Sequence, residues 1–515
     1  MPNASLGEST EIRPLDDTRH GTIASSLVVK SRLQPISAAF SHWFSDWQIS
    51  CRAHAVVVRP LQAAFRLMYT EPMERINRRS ESYTGGPHHL AGWRPEMGNP
   101  LLLAELRQHI ETKGKITFAE FMDLALYHPR QGYYVSGLEK VGGCGDYYTS
   151  PEVHPAFGTL LAVQLQEMWQ RLGYPDPFTA VEVGAGTGTL AFDLLSALDE
   201  LEPRFRRSFR YHIVEISPDL SSRQRERLRA WSEMVTWQQP PLQVNRCGAS
   251  LAGFTGCLIA NEVLDAFPVH VVTTLKGELR EVYVTFSGDR LVEVIDDLST
   301  EDLASYFHRL GQKPPEGFRA EVNLRALTWL SQVAGVLAQG FVLLIDYGYM
   351  AGEVFSLGRP RGSLLCYHRH AMHDDPYVLV GYQDLTAHLD FTSLIVRARE
   401  EGLALAGLTT QREFLTNLGL YRYVDDLATL GLSVMEYQSN RLAMEDLLLP
   451  TGLGGFKVLV LEKGVVDRDL SGLNPNRCAT LTLPPLRRIL QRPRLAWGDG
   501  PEGSYITGRW EDLLK

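Results

Sequence analysis

The chain has 515 residues, which exceeds the size at which a single hydrophobic core keeps growing, so we expect two or three structural units. Its apolar share of 44% and charged share of 22% are those of a folded globular protein, which excludes a largely disordered chain. The formal net charge of −9 argues against long nucleic acid as the main partner, because phosphate binding depends on concentrated Lys and Arg.

Cysteine usage and hydropathy indicate a reducing compartment and no membrane span. The six cysteines are scattered and include no C-x-x-C pair, so the sequence predicts neither a zinc site nor a disulfide framework. No window approaches the roughly 20 apolar residues of a transmembrane helix. A mitochondrial presequence would be rich in Arg and poor in acids, whereas Glu8, Glu11, Asp16 and Asp17 occur in the opening stretch. We therefore expect a cytoplasmic protein, with the mitochondrial matrix as the alternative for a eukaryotic chain.

Residues 1–98 are predicted to be a helical extension followed by a linker. Apolar residues at helical spacing indicate two amphipathic helices, one carrying Ile36, Phe40, Trp43, Phe44 and Trp47 and the other Leu61, Phe65 and Met68. We favour a helical hairpin that packs on the main body, and docking to a partner or a membrane surface is the alternative. The polar segment Ser80–Asn99, which contains Gly85-Gly86-Pro87, is predicted to be the linker.

Residues 99–177 are predicted to form a helical cap on the next unit. One helix ends at Gly114, and Thr117 with Glu120 forms a capping box that begins the following helix. This part of the chain is therefore expected to be mainly α-helical.

Residues 178–464 alternate short apolar strands with amphipathic helices, a pattern typical of a parallel α/β sheet of the Rossmann-like kind. The predicted strands are Phe178–Val183, Tyr211–Glu215, Gly256–Ala260, Phe341–Asp346 and Phe456–Leu461. We expect insertions at about 270–300 and 350–395, the first of them a meander of Val271–Thr274, Glu281–Phe286 and Leu291–Ile295. Residues 465–515 are predicted to be an extended, partly ordered C-terminal appendage.

A glycine-rich loop follows the first strand of this predicted sheet. Gly184, Gly186 and Gly188 form a G-x-G-x-G pattern directly before a helix, where glycines allow a sharp turn close to a ligand. A dinucleotide fingerprint has the wider spacing G-x-G-x-x-G, so the closer repeat favours S-adenosylmethionine (SAM) over NAD. Glu182 suits a cationic amino-acid group and would repel a pyrophosphate. On the loop alone, a tight strand-to-helix turn without a ligand is the alternative.

Glu215 ends the second predicted strand and is followed by Ile216, which we also expect to contact the cofactor. A carboxylate at this place can accept hydrogen bonds from both ribose hydroxyls. A solvent-exposed strand-end acid would give the same pattern, but the loop and the acid together predict a nucleoside-cofactor site. The segment Gly145–Glu152 is expected to close over the cofactor, with Ser150 and Pro151 in contact with it.

Polar residues also follow the third and fourth predicted strands. Asn261, Glu262 and Asp265 follow the third strand, and Asp346 and Tyr347 lie at the end of the fourth. The carboxyl ends of parallel strands meet at one edge of a sheet, and ligands bind there. Clustered carboxylates repel one another, so their presence beside a cofactor indicates a cationic or hydrogen-bonding acceptor. Solvated loop acids are the alternative.

Several short motifs occur in a fixed order along the chain. They include Leu126-Tyr127-His128-Pro129, Gly145-Asp146-Tyr147-Tyr148-Thr149-Ser150-Pro151-Glu152, Ala260-Asn261-Glu262, Asp265-Ala266-Phe267-Pro268-Val269, Asp346-Tyr347-Gly348 and Asp384-Leu385-Thr386-Ala387-His388-Leu389-Asp390-Phe391. With these motifs the chain resembles, from about Asn99 to Gly464, the MidA family of SAM-dependent methyltransferases. Phe267, Leu385 and Leu389 replace the usual Leu, Ile and Val, and these apolar exchanges leave the chemistry intact.

The resemblance implies a class I methyltransferase sheet, SAM as the cofactor and methylation of an arginine side chain of a protein substrate. The mitochondrial members are complex I assembly factors that form symmetric dimethylarginine on a core subunit. A respiratory complex I subunit is therefore the substrate hypothesis for this chain. The chain could also pair with a second copy of itself as a homodimer.

A protonated guanidinium, with a pKa above about 12, is a poor nucleophile. Nearby carboxylates would have to orient it and accept a proton as the methyl group arrives. We expect Glu262 to be this base, Asp265 and Asp390 to be supporting acids, and Asn261 to guide the acceptor by hydrogen bonding. The acceptor channel is expected to contain Asp346, Tyr347, Tyr367, His370 and His388. Methyl transfer from SAM needs no metal, and the histidines match no zinc spacing, so we expect no metal site.

Three other functions compete with this prediction. The first is a non-catalytic assembly chaperone that retains SAM as a structural ligand, and its function would survive mutation of Glu262. The second is an NAD-dependent oxidoreductase, which a thermal shift with SAM but none with NAD would exclude. The third is methylation of a small molecule, which would place the transferred label in low-molecular-weight products.

Overall fold

A computed structural model describes residues 98–136, 146, 148–240, 253–356, 358–369 and 371–490, all within the unit Gly85–Leu513. The predicted N-terminal helices and the predicted linker up to residue 97 lie outside the described residues, as do His370 and residues 491–515. The boundaries predicted at residues 98, 177 and 464 therefore stay predictions.

The described residues form strands and helices throughout their length. The strands, in chain order, are β1 (Ile116–Thr117), β2 (Phe178–Val183), β3 (Phe209–Val214), β4 (Val235–Gln238), β5 (Phe254–Asn261), β6 (His270–Leu275), β7 (Glu278–Ser287), β8 (Arg290–Asp296), β9 (Arg319–Val322), β10 (Leu337–Asp346), β11 (Gly348–Tyr349), β12 (Leu365–His368), β13 (Ala371–His373), β14 (Asp384–Thr386), β15 (Leu389–Asp390), β16 (Ala404–Thr410) and β17 (Lys457–Lys463).

The α-helices are α1 (Pro100–Lys113), α2 (Phe118–Tyr127), α3 (Ser150–Val153), α4 (Ala156–Arg171), α5 (Thr189–Ala197), α6 (Pro203–Ser208), α7 (Pro218–Arg227), α8 (Glu301–Leu310), α9 (Leu324–Val336), α10 (Ala351–Val354), α11 (Phe391–Glu400), α12 (Gln411–Asn417), α13 (Leu420–Asp426), α14 (Val434–Asp446) and α15 (Leu486–Ile489). Short 3₁₀ helices occupy Leu198–Glu200, Arg229–Trp231, Leu427–Thr429, Leu453–Gly455, Ser471–Leu473 and Pro475–Thr480.

A seven-stranded sheet forms the centre of the fold, in the order β16-β17-β10-β5-β2-β3-β4. The five strands from β10 to β4 are mutually parallel, whereas β17 runs antiparallel to both of its neighbours. The side chains of neighbouring residues in a strand pack into two different hydrophobic cores, as those of Leu343 and Leu344 do. The sheet is therefore buried on both faces. The predicted Rossmann-like α/β sheet is confirmed.

The five predicted strands of this sheet all form, and β2 has the predicted bounds. The two edge strands, β4 and β16, were not predicted. β16 is half-buried along its whole length, so it lacks the fully apolar run that marks a central strand. The central strands can therefore be predicted from hydropathy, whereas the edge strands cannot.

The predicted meander is present as β6, β7 and β8, and it belongs to a larger antiparallel sheet. β9 pairs with β6, and β1 of the helical cap pairs with β7. The second insertion contains a three-stranded antiparallel sheet in the order β13-β12-β14. Since a two-residue strand such as β1 carries no periodicity, the joining of cap and meander was not predicted.

The cap helices begin and end where the sequence indicates. α1 ends at Gly114, whose φ is +80°, and the Thr117–Glu120 capping box begins α2. α4 is buried over most of its surface in the core of the central sheet. The helical cap thus contributes directly to the main core.

The described part of the predicted C-terminal appendage also packs on this core. Leu470 and Leu486 are buried, and the Ser471 main-chain N–H donates a hydrogen bond of 2.8 Å to the buried Glu167 carboxylate. In the residues that the structure describes, no helix is long and apolar enough to cross a bilayer.

Candidate active site

The glycine-rich loop connects β2 with α5 in left-handed backbone conformations. The φ angles of Gly184, Gly186 and Gly188 are +67°, +51° and +79°. A Cβ atom on Gly184 would lie 3.2 Å from a methyl carbon of Val263, and one on Gly188 would lie 3.3 Å from the Cγ atom of Gln224. Larger residues are therefore disfavoured by both backbone conformation and space. The loop lies where the order of the parallel strands reverses, which is where such sheets bind ligands.

Glu182 precedes this loop and is almost fully buried. The Tyr211 hydroxyl donates a hydrogen bond of 2.8 Å to its Oε2 atom. Burial, with a smaller contribution from the charge of Glu215, raises the pKa of Glu182 to about 7 against the opposing effect of that hydrogen bond. A cationic group bound at the loop would favour the ionised form of Glu182, as the predicted role requires.

Glu215 is held by two donors at the end of β3. Its Oε1 atom accepts a hydrogen bond from the Ser217 main-chain N–H and its Oε2 atom accepts one from Gln224 Nε2, both at 2.9 Å. Gln224 Nε2 also donates to the Gly186 carbonyl oxygen at 2.9 Å. Gln224 thus connects the glycine loop with the predicted ribose-binding carboxylate. It was missed from the sequence because nothing distinguishes a buried Gln in a polar helix from an exposed one.

Asp346 organises the loop that follows β5. Its Oδ2 atom accepts hydrogen bonds from the main-chain N–H groups of Val263, Leu264 and Asp265 at 3.0–3.3 Å, and its Oδ1 atom accepts one from Tyr347 N. Burial and the neighbouring carboxyl groups raise the pKa of Asp346, and these main-chain donors oppose that rise. Asp346 was expected to line the acceptor channel, but its carboxylate is 1% exposed and is occupied by backbone donors.

Glu262 has a left-handed backbone with φ of +53°, which is uncommon for a residue other than glycine. Its Oε1 atom accepts hydrogen bonds from the Ser150 main-chain N–H at 2.9 Å and from Asn261 Nδ2 at 3.1 Å. Burial, with a smaller contribution from the charge of Asp265, raises the pKa of Glu262 to about 8 against the lowering effect of the Ser150 hydrogen bond. The side chain is thus fixed in place but readily protonated.

Asp265 lies on the same loop and is 6% exposed. The Tyr347 hydroxyl donates a hydrogen bond of 2.5 Å to its Oδ2 atom. Its Oδ1 atom is buried and has no hydrogen-bond partner within the described residues. Burial raises the pKa of Asp265 to about 6, while the Tyr347 hydrogen bond lowers it. The structure therefore brings together the predicted residues Asn261, Glu262, Asp265 and Tyr347.

Asp390 serves a different purpose from the predicted one. It is the N-cap of α11, where its carboxylate accepts hydrogen bonds from Thr392 N, the Ser393 hydroxyl and the Tyr306 hydroxyl. Three donors occupy this carboxylate and none of them belongs to the loop after β5. The geometry therefore assigns Asp390 to helix capping, a role that an Asp before an apolar run commonly takes.

Two residues predicted to line the channel lie close to this loop. The His388 ring packs against the Tyr347 ring with a centroid distance of 5.4 Å, and burial beside Arg359 lowers the pKa of His388 to about 4. Burial raises the pKa of Tyr367 above its usual range, and the charge of Asp265 adds to that rise. His388 therefore acts as a neutral packing partner of Tyr347, and the hydroxyl of Tyr367 lies within the electrostatic influence of the acidic loop.

The segment before β2 contacts both halves of the site. Glu152 accepts a hydrogen bond of 2.7 Å from the Thr187 hydroxyl of the glycine loop. The Ser150 hydroxyl donates to Gln411 Oε1 at 2.9 Å, while its main-chain N–H donates to Glu262. Closure of this segment over the cofactor stays a prediction, and the structure adds a link to Glu262 that the sequence did not reveal.

A family profile described as an S-adenosyl-L-methionine-dependent methyltransferase matches residues 160–409. A protein from Drosophila melanogaster named Protein arginine methyltransferase NDUFAF7 homolog, mitochondrial, is 30% identical over 326 residues, which are 58% of this chain and 70% of that protein. The chain belongs to this methyltransferase family. The human Protein arginine methyltransferase NDUFAF7, mitochondrial, is 28% identical over 355 residues, covering 62% of this chain and 74% of the human protein.

A crystal structure of a similar protein contains the demethylated cofactor. It is a COG1565 superfamily member from Burkholderia thailandensis bound to S-adenosyl-homocysteine, 31% identical, with a TM-score of 0.64 over 76% of this chain and 97% of that one. The predicted class I fold, the SAM cofactor and methyltransferase activity are therefore confirmed. The related eukaryotic methyltransferases are named as mitochondrial, which does not support the cytoplasmic prediction and agrees with its alternative.

Proposed function

We propose that this methyltransferase methylates an arginine side chain of a protein substrate. The acidic loop after β5 supports the proposal, because it carries both Glu262 and Asp265, whose charges act on one another, and Asp265 retains an unpartnered carboxylate oxygen within the described residues. None of the described ion pairs joins a Lys or Arg side chain to Glu262, Asp265 or Asp346. A cationic acceptor with several N–H groups would supply the missing counter-charge and donors.

The names of the relatives support arginine as the acceptor. The proteins from Drosophila melanogaster and Homo sapiens are both named protein arginine methyltransferases. A subunit of respiratory complex I is the substrate suggested by the family resemblance, and the mitochondrial matrix is the compartment suggested by the relatives' names. The two suggestions agree, since both place the reaction in one organelle.

The residues of the first half of the site fit SAM. Gly184, Gly186 and Gly188 leave space beside the turn, and the Glu215 carboxylate at the end of β3 suits ribose hydroxyls. Glu182 suits the cationic amino-acid group, and Ser150 and Pro151 are proposed to contact the cofactor from the cap side. When bound, SAM supplies a sulfonium methyl group as the electrophile and retains the electron pair of the broken S–C bond.

Glu262 is the residue proposed to receive the proton. The acceptor nitrogen gains a carbon and must lose one proton to leave a methylguanidinium of the same charge. A cation bound beside Glu262 lowers the pKa of its carboxyl, so the carboxylate becomes available as acceptor binds. Asp265, held by Tyr347, is proposed to orient the guanidinium through its free Oδ1 atom, with Asn261 as the hydrogen-bonding guide.

Labelled SAM tests this proposal directly. The full chain is incubated with radiolabelled SAM and a mitochondrial protein extract, and labelled proteins are identified by mass spectrometry. We expect methylarginine on a protein, and we expect Glu262→Gln to abolish the label while retaining SAM binding by calorimetry. Label confined to small molecules would overturn the choice of acceptor. Rescue of complex I assembly by Glu262→Gln would instead support the assembly chaperone.

A further inference from the structure

The three-stranded sheet of the second insertion lies beside the acidic loop. Tyr367 of β12 pairs in register with Asp384 of β14, and Asp384 and Thr386 project from the same face of β14 because they are two residues apart. The next residue, Ala387, donates its main-chain N–H to the Asp265 carbonyl oxygen at 2.9 Å. This hydrogen bond fixes β14 against the loop that carries Asp265.

Asp384 of β14 is a buried carboxyl group, as Asp265 of the acidic loop is. It is 3% exposed, and its Oδ1 atom accepts hydrogen bonds from the Tyr134 hydroxyl at 2.7 Å and from Leu385 N at 2.9 Å. Burial raises the pKa of Asp384, and the charge of Asp265 adds to that rise. Two buried carboxyl groups that repel one another are stabilised when a cation lies between them.

Two buried oxygen atoms in this described part of the chain are not engaged in hydrogen bonds. Thr386 Oγ1 and Asp265 Oδ1 have no hydrogen-bond partner within the described residues, although Thr386 is only 3% exposed and Asp265 only 6%. Unpaired buried polar atoms are unfavourable, and nearly all such atoms in folded proteins are satisfied by protein, water or ligand. Their position beside the acidic loop therefore indicates a ligand with several hydrogen-bonding groups.

We propose that Asp384 and Thr386 bind the part of the acceptor guanidinium that is not being methylated, while Glu262 and Asp265 face the reacting nitrogen. This assignment rests on the proposed arginine methylation. A planar guanidinium presents five N–H donors in fixed directions and can contact both the loop and β14. A lysine ammonium is a compact point charge and lacks this planar array of donors. The inserted sheet thus determines specificity for arginine.

Peptide binding in the presence of S-adenosyl-homocysteine tests the assignment without turnover. The probes are a fluorescent Gly-Arg-Gly peptide and the same peptide with citrulline, which keeps the shape of arginine but lacks its charge. For the unmodified chain we expect at least about tenfold tighter binding of the arginine peptide, since a tenfold difference corresponds to about 1.4 kcal/mol. We expect Asp384→Asn to remove most of this preference and Thr386→Val to weaken arginine binding about threefold.

Asp374→Asn is the matched control, because Asp374 lies in the same insertion but is exposed. It should leave both affinities unchanged, and S-adenosyl-homocysteine binding should stay intact in every variant that has folded. If Asp384→Asn keeps the preference for arginine and Thr386→Val keeps full arginine affinity, the role of β14 is overturned. The proposal of arginine methylation would not be affected by that result. Absence of any preference in the unmodified chain would overturn the arginine proposal as well.

Discussion

The main-chain N–H of Ser150 donates a hydrogen bond of 2.9 Å to the Glu262 carboxylate, although the two residues are 112 positions apart. Ser150 belongs to the segment whose Glu152 contacts the glycine loop through Thr187. One turn of helix therefore contacts the cofactor loop and the proposed base at once. Movement of that turn would alter both halves of the site together.

We expect Gln224→Ala to weaken SAM binding about tenfold or more. Gln224 Nε2 joins the Gly186 carbonyl oxygen to the Glu215 carboxylate, and removing a buried partner leaves groups unsatisfied at a cost of about 1–3 kcal/mol. Isothermal titration calorimetry with S-adenosyl-homocysteine measures the change. Gln108→Ala, at an exposed position of α1, is the control that should bind normally. Equal affinities of the two variants would contradict this role of Gln224.

The pH dependence of turnover should follow Glu262. Its pKa is raised to about 8, and a base must be ionised in the free enzyme, so kcat/KM should rise from pH 6 and level off above about pH 8. In Glu262→Gln the part of this rise that is centred near pH 8 should disappear, and kcat should fall by about 10²–10⁴. Initial rates between pH 6 and pH 9 measure both effects. A profile that keeps its rise in the variant would exclude Glu262 as the titrating base.

Glu262→Gln should also change the dependence of stability on pH. A carboxyl group whose folded-state pKa is raised stabilises the fold fully below its unfolded pKa of about 4.5, and this contribution is lost as the pH rises towards about 8. The neutral variant does not suffer this loss. Relative to the unmodified chain, the variant should therefore gain at least about 1.4 kcal/mol between pH 5 and pH 9, the equivalent of one pKa unit.

Denaturant unfolding at the two pH values measures this gain. Glu226→Gln is the control, because Glu226 is exposed on α7 and should show no such change. A constant difference between Glu262→Gln and the unmodified chain across this pH range would show that the folded state does not raise the pKa of Glu262.

Tyr347→Phe should weaken acceptor binding most strongly at low pH. Burial raises the pKa of Asp265 to about 6 even though the Tyr347 hydroxyl lowers it, so loss of that hydroxyl should raise the pKa further. Asp265 would then be protonated at pH 6 and would bind a cation poorly, with recovery at higher pH. KM for an arginine peptide, measured from pH 6 to pH 9, reports this shift. Tyr349→Phe provides a control, and an equal KM ratio at every pH would contradict the prediction.

Leu470→Ala should destabilise the fold by about 2–5 kcal/mol, because its side chain is fully buried in the core that contains α4. Val466→Ala, four residues earlier at a position 99% exposed, should change stability by less than about 0.5 kcal/mol. Chemical denaturation of both variants measures the difference. Similar stabilities would mean that residues beyond 464 are dispensable for folding.

The sequence predicted those features that depend on local patterning. The central strands and the glycine loop follow from apolar runs and from spacing, and Glu215 follows from its place at a strand end. The partners of carboxylates could not be predicted in this way. Asp346 accepts hydrogen bonds from residues more than 80 positions away. The charge of Asp265 acts on Asp384 only because the pairing of an inserted sheet brings the two residues into the same region. Such contacts depend on tertiary register, which hydropathy does not encode.

Asp390 illustrates how one residue type in one motif can serve either chemistry or structure. An aspartate two residues after His388 suggests an active-site acid, yet an Asp directly before a helix is also a common N-cap. The three hydrogen-bond donors around the carboxylate distinguish the two roles, and such donors can be identified only in a three-dimensional structure.

The left-handed backbone of Glu262 has a consequence for directed evolution of this enzyme. A non-glycine residue in that conformation costs on the order of 1–3 kcal/mol, which glycine would largely recover. A library sorted only for heat resistance should thus accumulate glycine at this position and lose turnover. Sorting for heat resistance and product formation together should retain the glutamate and collect its stabilising changes elsewhere.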